Sequence, residues 1–213
     1  MKVDKRSLLL YAVTDRSWLA DNCLAAQVED AINGGVTFVQ LREKELPHSA
    51  FTAEAKKIKK ITDRYRIPLV INDNIGIALE VNADGVHVGQ SDLSVSDART
   101  LLGDDKIIGV SVQTVEEALL AEQHGADYLG VGTVFPTSTK LDATGVSFAM
   151  LQEICSTVAI PVVAIGGITA ENILNLQGTG IDGVAVVSAI FAQPDISAAA
   201  RKLAALAKRT VRK

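Results

Sequence analysis

Eight short β-branched runs recur along this chain, and their spacing constrains the fold more than any other feature. They are "LLLYAVT" (8–14), "FVQLR" (38–42), "PLVIN" (68–72), "GVHV" (85–88), "IIGVS" (107–111), "YLGVG" (128–132), "PVVAI" (161–165) and "GVAVV" (183–187). Most are nearly continuous apolar runs, as expected of parallel strands buried on both faces. Helical spacing fills the gaps. "AAQVEDAIN" (25–33) puts Val28, Ala31 and Ile32 on one face, and "FTAEAKKIKKITDRY" (51–65) does the same with Ala55, Ile58 and Ile61. "VEEALLAEQHGADY" (115–128) carries Gly125 where a helix C-cap belongs. The phrases "NADG", "GADY" and "GIDG" each precede a strand, which suggests one supersecondary unit used repeatedly. Eight strands alternating with helices in 213 residues predict a (β/α)8 TIM barrel, one domain spanning residues 1–213. The rival, an open doubly wound sheet, lacks support because no GxGxxG follows the first strand.

Charge and composition narrow the function classes. The formal net charge is -4, and no basic stripe offers a nucleic-acid surface. The basic C-terminal "KRTVRK" reads as the solvated end of a last helix. Cys23 and Cys155 lie far apart and near no ligand cluster, so they read as free thiols. The stretch before Asp15 holds no signal-peptide run, and "STVAIPVVAIGGITA" is too short and too Gly-rich to span a bilayer. The expectation is a soluble cytoplasmic protein without a membrane or nucleic-acid partner, compatible with a homo-oligomer.

In such a barrel the active site lies at the C-terminal ends of the strands. The second strand ends "VQLREKE", where alternation puts Gln40, Arg42 and Lys44 on one face. Two cations and an amide converging there suit a polyanion such as a diphosphate, although an ordinary rim pairing with nearby glutamates is the bland alternative. The third strand ends "VINDN" and the fourth "GVHVGQSD", so Asp73 and Asp92 follow adjacent strands about 4.8 Å apart. Two such carboxylates repel unless a cation or proton sits between them, and Mg²⁺ is the natural occupant beside a diphosphate. Each could instead cap the helix that follows it. Ser111 ends the fifth strand; of the histidines, His87 is expected to be structural mid-strand, His124 at a helix end and His48 in a loop.

After the sixth strand comes "GVGTVFPTSTK" (130–140), and no helix is expected before about Ser147. Thr137, Ser138, Thr139 and Lys140 suit an anion, in a loop long enough to cover one. Gly166 and Gly167 after the seventh strand, and Val187 and Ser188 after the eighth, expose backbone N–H groups where these barrels commonly bind phosphate. The sequence therefore proposes two anion sites, one with metal and one without.

"YAVTD", "QLREK", "INDN", "GVHVGQ", "GVGTVFPTSTK" and "AIGGIT" occur in order, and from about Leu8 to Ala200 the chain resembles the thiamine-phosphate synthase family. That resemblance implies a Mg²⁺-dependent transferase. It joins a pyrimidine carried as a diphosphate to a thiazole carried as a monophosphate, giving thiamine phosphate and diphosphate. It implies that Gln40, Arg42, Lys44, Asn72, Ser111 and Lys140 hold the pyrimidine diphosphate and that Asp73 and Asp92 hold Mg²⁺. Thr137, Ser138, Thr139, Gly167, Val187 and Ser188 would hold the thiazole phosphate. Arg42, Lys44, Ser111 and Lys140 would carry catalysis. One departure stands out: Gln113 occupies a place where many relatives carry His and where the related thiazole tautomerases use one. Gln has no acid–base chemistry, which argues against a tautomerase. Two alternatives remain at this stage: another phosphate-handling barrel enzyme, such as an epimerase or tautomerase, and a non-catalytic phosphate-ligand module.

Overall fold

The structure, a computed structural model, describes residues 3–19, 23–136 and 145–211. All eight predicted strands are present. They are β1 (Leu10–Val13), β2 (Phe38–Leu41), β3 (Leu69–Asn72), β4 (Gly85–Val88), β5 (Ile107–Val112), β6 (Tyr128–Val131), β7 (Val162–Ile165) and β8 (Gly183–Val186). Each pairs in parallel with its sequence neighbour, and β8 pairs back onto β1, closing the barrel.

The helices are α1 (Leu24–Asn33), α2 (His48–Tyr65), α3 (Ile75–Glu80), α4 (Val95–Leu102), α5 (Val115–Gln123), α6 (Phe148–Thr157), α7 (Ser188–Phe191) and α8 (Ile196–Thr210). Six of them follow β1 to β6 in turn. The seventh connection has only a 3₁₀ turn at Ile173–Leu176, and both α7 and α8 follow β8. Short polar residues start several helices: the side chains of Asn74, Ser94, Thr114, Ser147 and Asp195 each accept a backbone N–H three residues on. One expectation is corrected: His48 is the first residue of α2 rather than part of a loop. Pro47 precedes it, and its fixed φ suits the entry to a helix. Among the described residues no helix is long and apolar enough to cross a membrane.

Alternation along the buried strands divides the apolar side chains into two sets. Leu10, Val39, Leu69, Ile71, Val86, Val110, Leu129, Val184 and their like pack outward against the helices. Tyr11, Val13, Phe38, Val70, Ile107, Tyr128, Val163 and Ala185 fill the barrel interior. Tyr11, Phe38 and Tyr128 meet edge to face there, with ring centroids 4.7 to 6.0 Å apart. Gly109 makes room for them: a Cβ on it would lie 2.1 Å from Tyr128 Cζ.

The repeated phrase ahead of the even strands has a structural counterpart at the opposite, N-terminal end of the barrel. Asp84 accepts the N–H of Leu69, Asp127 that of Ile108 and Asp182 that of Val162, at 2.8 to 3.1 Å. Each returns its own backbone N–H to the carbonyl of the same residue. Thr37 does the same for Leu10 through its hydroxyl. Four side chains thus clamp the starts of β1, β3, β5 and β7, a fourfold pattern built from strand pairs.

Candidate functional site

The face-alternation argument holds for Gln40, whose side chain enters the barrel and donates to the Tyr11 hydroxyl at 2.5 Å. β2 ends at Leu41, so Arg42 and Lys44 lie on the loop beyond it. The Arg42 N–H is held by Thr14 Oγ1 at 3.0 Å, and its guanidinium lies 3.9 Å from Asp15. Lys44 reaches Asp73 at 2.6 Å. Neither cation pairs with a glutamate as the bland rim reading had it; the nearby Glu43 is taken by Arg16 at 2.9 Å and is almost wholly buried. Two cations, each opposed by one aspartate, therefore face the ends of β1 to β3.

Capping is not the task of either candidate metal ligand. The N-cap of α3 is Asn74 and that of α4 is Ser94. Asp73 sits one residue past β3 in the left-handed region, φ 60°, with its N–H on the His87 carbonyl. Asp92 turns back to accept the Gly89 N–H at 2.7 Å. The two carboxyl groups face each other. Partial burial pushes the Asp73 carboxyl above its ordinary value, opposed by its bond to Lys44 and reinforced by the hydrogen-bonding contact with Asp92. Paired carboxylates at a strand-end rim fit a hard divalent cation, and Mg²⁺ takes one or two carboxylates with the rest of its shell from phosphate and water. Among the described residues no group of three His, Cys, Asp or Glu forms a larger cage.

Asn72 ends β3, in register with His87 of β4, and Ser111 lies near the end of β5, in register with Gly130 of β6. Gln90 fastens the loop after β4 by donating to the Ser111 carbonyl at 2.7 Å. Gln113 donates its backbone N–H to Glu117 and its amide to the Gly132 carbonyl at 3.3 Å, at the root of the loop after β6.

That loop is fixed at its neck. The Val146 N–H bonds to the Thr133 carbonyl at 2.7 Å, and Phe135 packs edge to face on Phe148 at the start of α6. Thr137, Ser138, Thr139 and Lys140 lie outside the described residues. The segment leading into them presses on the turn after β7. A Cβ on Gly167, whose φ is 64°, would lie 2.4 Å from the Pro136 carbonyl oxygen. Asn172 staples this turn, donating to the Gly167 carbonyl and accepting the Thr169 N–H, both at 2.8 Å. Val187 packs on the interior cluster and caps the short helix α7, which Ser188 begins. The Gly167 turn and the base of the loop are thus brought together on the β6–β7 side, across the barrel from Lys44 and Asp73.

Sequence reasoning missed one set of residues. Tyr11 and Tyr128, unmarked by it, and His87, read as structural, form a buried polar chain beneath the mouth. Tyr11 and Tyr128 hydroxyls lie 2.8 Å apart, Tyr128 lies 2.9 Å from His87 Nδ1, and His87 Nε2 lies 2.9 Å from Ser111 Oγ. The signal is strand parity, which becomes usable only once the register between strands is known. Tyr11, Tyr128, His87 and Ser111 each occupy inward positions of their strands once Gln40 sets the phase.

Comparison with known proteins adds the following. The family model of thiamine monophosphate synthase matches residues 10–190. A thiamine-phosphate synthase of Ruminiclostridium cellulolyticum is 55% identical over 194 residues, covering 91% of this chain and 92% of that protein. Another, of Clostridium acetobutylicum, is 54% identical over 200 residues, covering 94% and 95%. Among solved structures, the thiamine phosphate pyrophosphorylase of Pyrococcus furiosus superposes with a TM-score of 0.90 at 37% identity, over 98% of this chain and 99% of that one.

Proposed function

The chain belongs to the thiamine monophosphate synthase family of transferases, and from that premise we propose that it makes thiamine phosphate at the mouth of its single barrel domain. The substrates are 4-amino-2-methyl-5-(diphosphomethyl)pyrimidine and a thiazole phosphate. The observation that carries this reading is the cluster of Arg42, Lys44, Asp73 and Asp92 on one rim. Cations beside converging carboxylates suit a diphosphate delivered with a divalent ion. The β6–β7 side, with its glycine turn and hydroxyl-rich loop, suits the monophosphate.

The chemistry follows from that layout. The bond between the pyrimidine methylene carbon and the diphosphate oxygen breaks, and its electron pair leaves with diphosphate. The electron-rich aminopyrimidine stabilises the resulting cation. The thiazole nitrogen lone pair then forms the new C–N bond. Asp73 and Asp92 would hold Mg²⁺, which would supply electrostatic stabilisation of the leaving diphosphate. Arg42, Lys44 and Lys140 neutralise the charge that grows on the same oxygens. Gln40, Asn72 and Ser111 orient the pyrimidine. Thr137, Ser138, Thr139, Gly167, Val187 and Ser188 hold the thiazole phosphate so that its nitrogen faces the methylene carbon. No protein nucleophile is needed. Gln113, spent on a backbone carbonyl, has no acid–base chemistry to offer a tautomerase. Work on small cellular metabolites fits a cytoplasmic enzyme.

The test is to supply both substrates and Mg²⁺ to the purified protein and follow the products. Thiamine phosphate and diphosphate formed in equal amounts support the reading. Diphosphate released at the same rate without the thiazole would mean a hydrolase instead.

A further inference from the structure

The polar chain under the mouth has a direction. It runs Gln40, Tyr11, Tyr128, His87, Ser111, from a buried amide to a half-buried hydroxyl. The Gln40 amide nitrogen is a donor only, so Tyr11 accepts from it. Tyr11 has one proton, and the hydroxyl of Tyr128 is its acceptor among the described residues. Tyr128 then has one proton to give, and His87 Nδ1 is within reach of it. A neutral imidazole that accepts at Nδ1 carries its proton on Nε2. That proton goes to Ser111 Oγ, and the serine's own proton is left facing the mouth.

The opposite direction fails at Tyr11. With Ser111 donating to His87 and His87 to Tyr128, Tyr11 would accept from both Tyr128 and Gln40. Its own proton would then be stranded in the barrel interior, where Tyr11 is 2% exposed. Burial pushes both tyrosine hydroxyls well above their ordinary values, so neither sheds its proton to relieve the conflict. The cavity for this chain is built into the backbone. Gly109 admits the Tyr128 ring, and a Cβ on Gly130 would lie 3.1 Å from His87 Cε1.

We propose that Tyr11, Tyr128 and His87 are positioning residues that make Ser111 an obligate hydrogen-bond donor toward an acceptor atom of the pyrimidine diphosphate. This rests on the function proposed above, for which the site nearest Ser111 is the pyrimidine's. It selects a substrate that presents a ring nitrogen or phosphate oxygen at that point over one that presents an N–H. None of the three residues needs to touch the substrate.

Two measurements decide it. The first is nitrogen NMR of histidine in the ligand-free wild-type protein, with His87 assigned by comparison with a His87→Gln variant. The expected state is a neutral ring protonated on Nε2. A proton on Nδ1 would overturn the direction, and this readout stands whether or not the joining reaction is found. The second is a double-mutant cycle on kcat/KM for the pyrimidine diphosphate, with thermal stability measured alongside. Tyr128→Phe should cost about tenfold in the wild-type background and almost nothing in the Ser111→Ala background. An equal cost in both backgrounds would mean that Tyr128 serves packing alone and would overturn the proposal.

Discussion

Lys44 holds its ammonium nitrogen 2.6 Å from Asp73 Oδ2, on a carboxylate that also faces Asp92. On the proposed reading of the site, this protein cation competes with a metal ion for Asp73. Lys44→Met removes a competitor for Asp73 and leaves the two carboxylates opposed. Mg²⁺ alone should then bind more tightly, seen as a larger thermal shift on adding the ion. Turnover should fall about a hundredfold, because one charge on the leaving group's side is gone. Weaker Mg²⁺ binding in the variant would mean that Lys44 supports the carboxylates rather than competing for them.

Gly167→Ala tests the other side of the mouth. The residue sits at φ 64°, and an added Cβ would meet the carbonyl oxygens of Pro136 and Phe135 at 2.4 and 2.7 Å. The turn after β7 and the root of the loop after β6 must then separate. The expected outcome is a rise of about tenfold or more in KM for the thiazole phosphate, with KM for the pyrimidine diphosphate little changed. Steady-state kinetics with each substrate varied in turn distinguishes this from a general loss.

Much of the site is legible in the sequence because a strand's parity is simple. Gln40 points inward as alternation demands, and Asp73 and Asp92 follow adjacent strands and meet. Asn74 and Ser94, each close to its aspartate in sequence, take the capping that Asp73 and Asp92 could have done. Tyr11 and Tyr128 were illegible for a physical reason. In strands buried on both faces every position is apolar or enclosed, so hydropathy carries no phase, and a tyrosine in "LLLYAVT" reads as filler. Only the register of five strands shows that these hydroxyls connect. The number of helices also escaped the repeat pattern, since "ENILNLQG" after β7 makes a single 3₁₀ turn where a full helix would fit the scheme.

The strand-start clamps predict a stability effect without a catalytic one. Asp127 accepts the Ile108 N–H and pairs with Arg99 at 2.7 Å, while Arg99 also donates to three backbone carbonyls. Asp127→Ala leaves the Ile108 N–H without its acceptor and a largely buried guanidinium without its counter-charge. A loss of about 2–4 kcal/mol is expected from urea unfolding. Activity per folded molecule should be unchanged, because this end of the barrel is remote from the mouth.

Cys155 supplies a pH dependence. Burial, with a smaller contribution from Asp182, pushes its thiol up to about 12 from 9.0. The folded protein therefore keeps this proton over a range where the unfolded chain has lost it. The resulting stability is fully present below pH 9.0 and is lost progressively as pH rises toward about 12. Cys155→Ser should flatten the decline of Tm over that range. At about pH 8 a thiol reagent should label the exposed Cys23 well before Cys155. Equal labelling rates would contradict the burial argument.

The most direct test of the account is a Mg²⁺ titration of thiamine phosphate formation in the wild type and in Asp92→Asn. The wild type should make product only with the divalent ion present and lose it to a chelator. The variant, with its half of the carboxylate pair neutralised, should lose most turnover at limiting Mg²⁺ and recover part of it as the ion is raised. Equal activity of the two proteins at limiting Mg²⁺ would contradict the assignment of Asp73 and Asp92 as the metal end of the site.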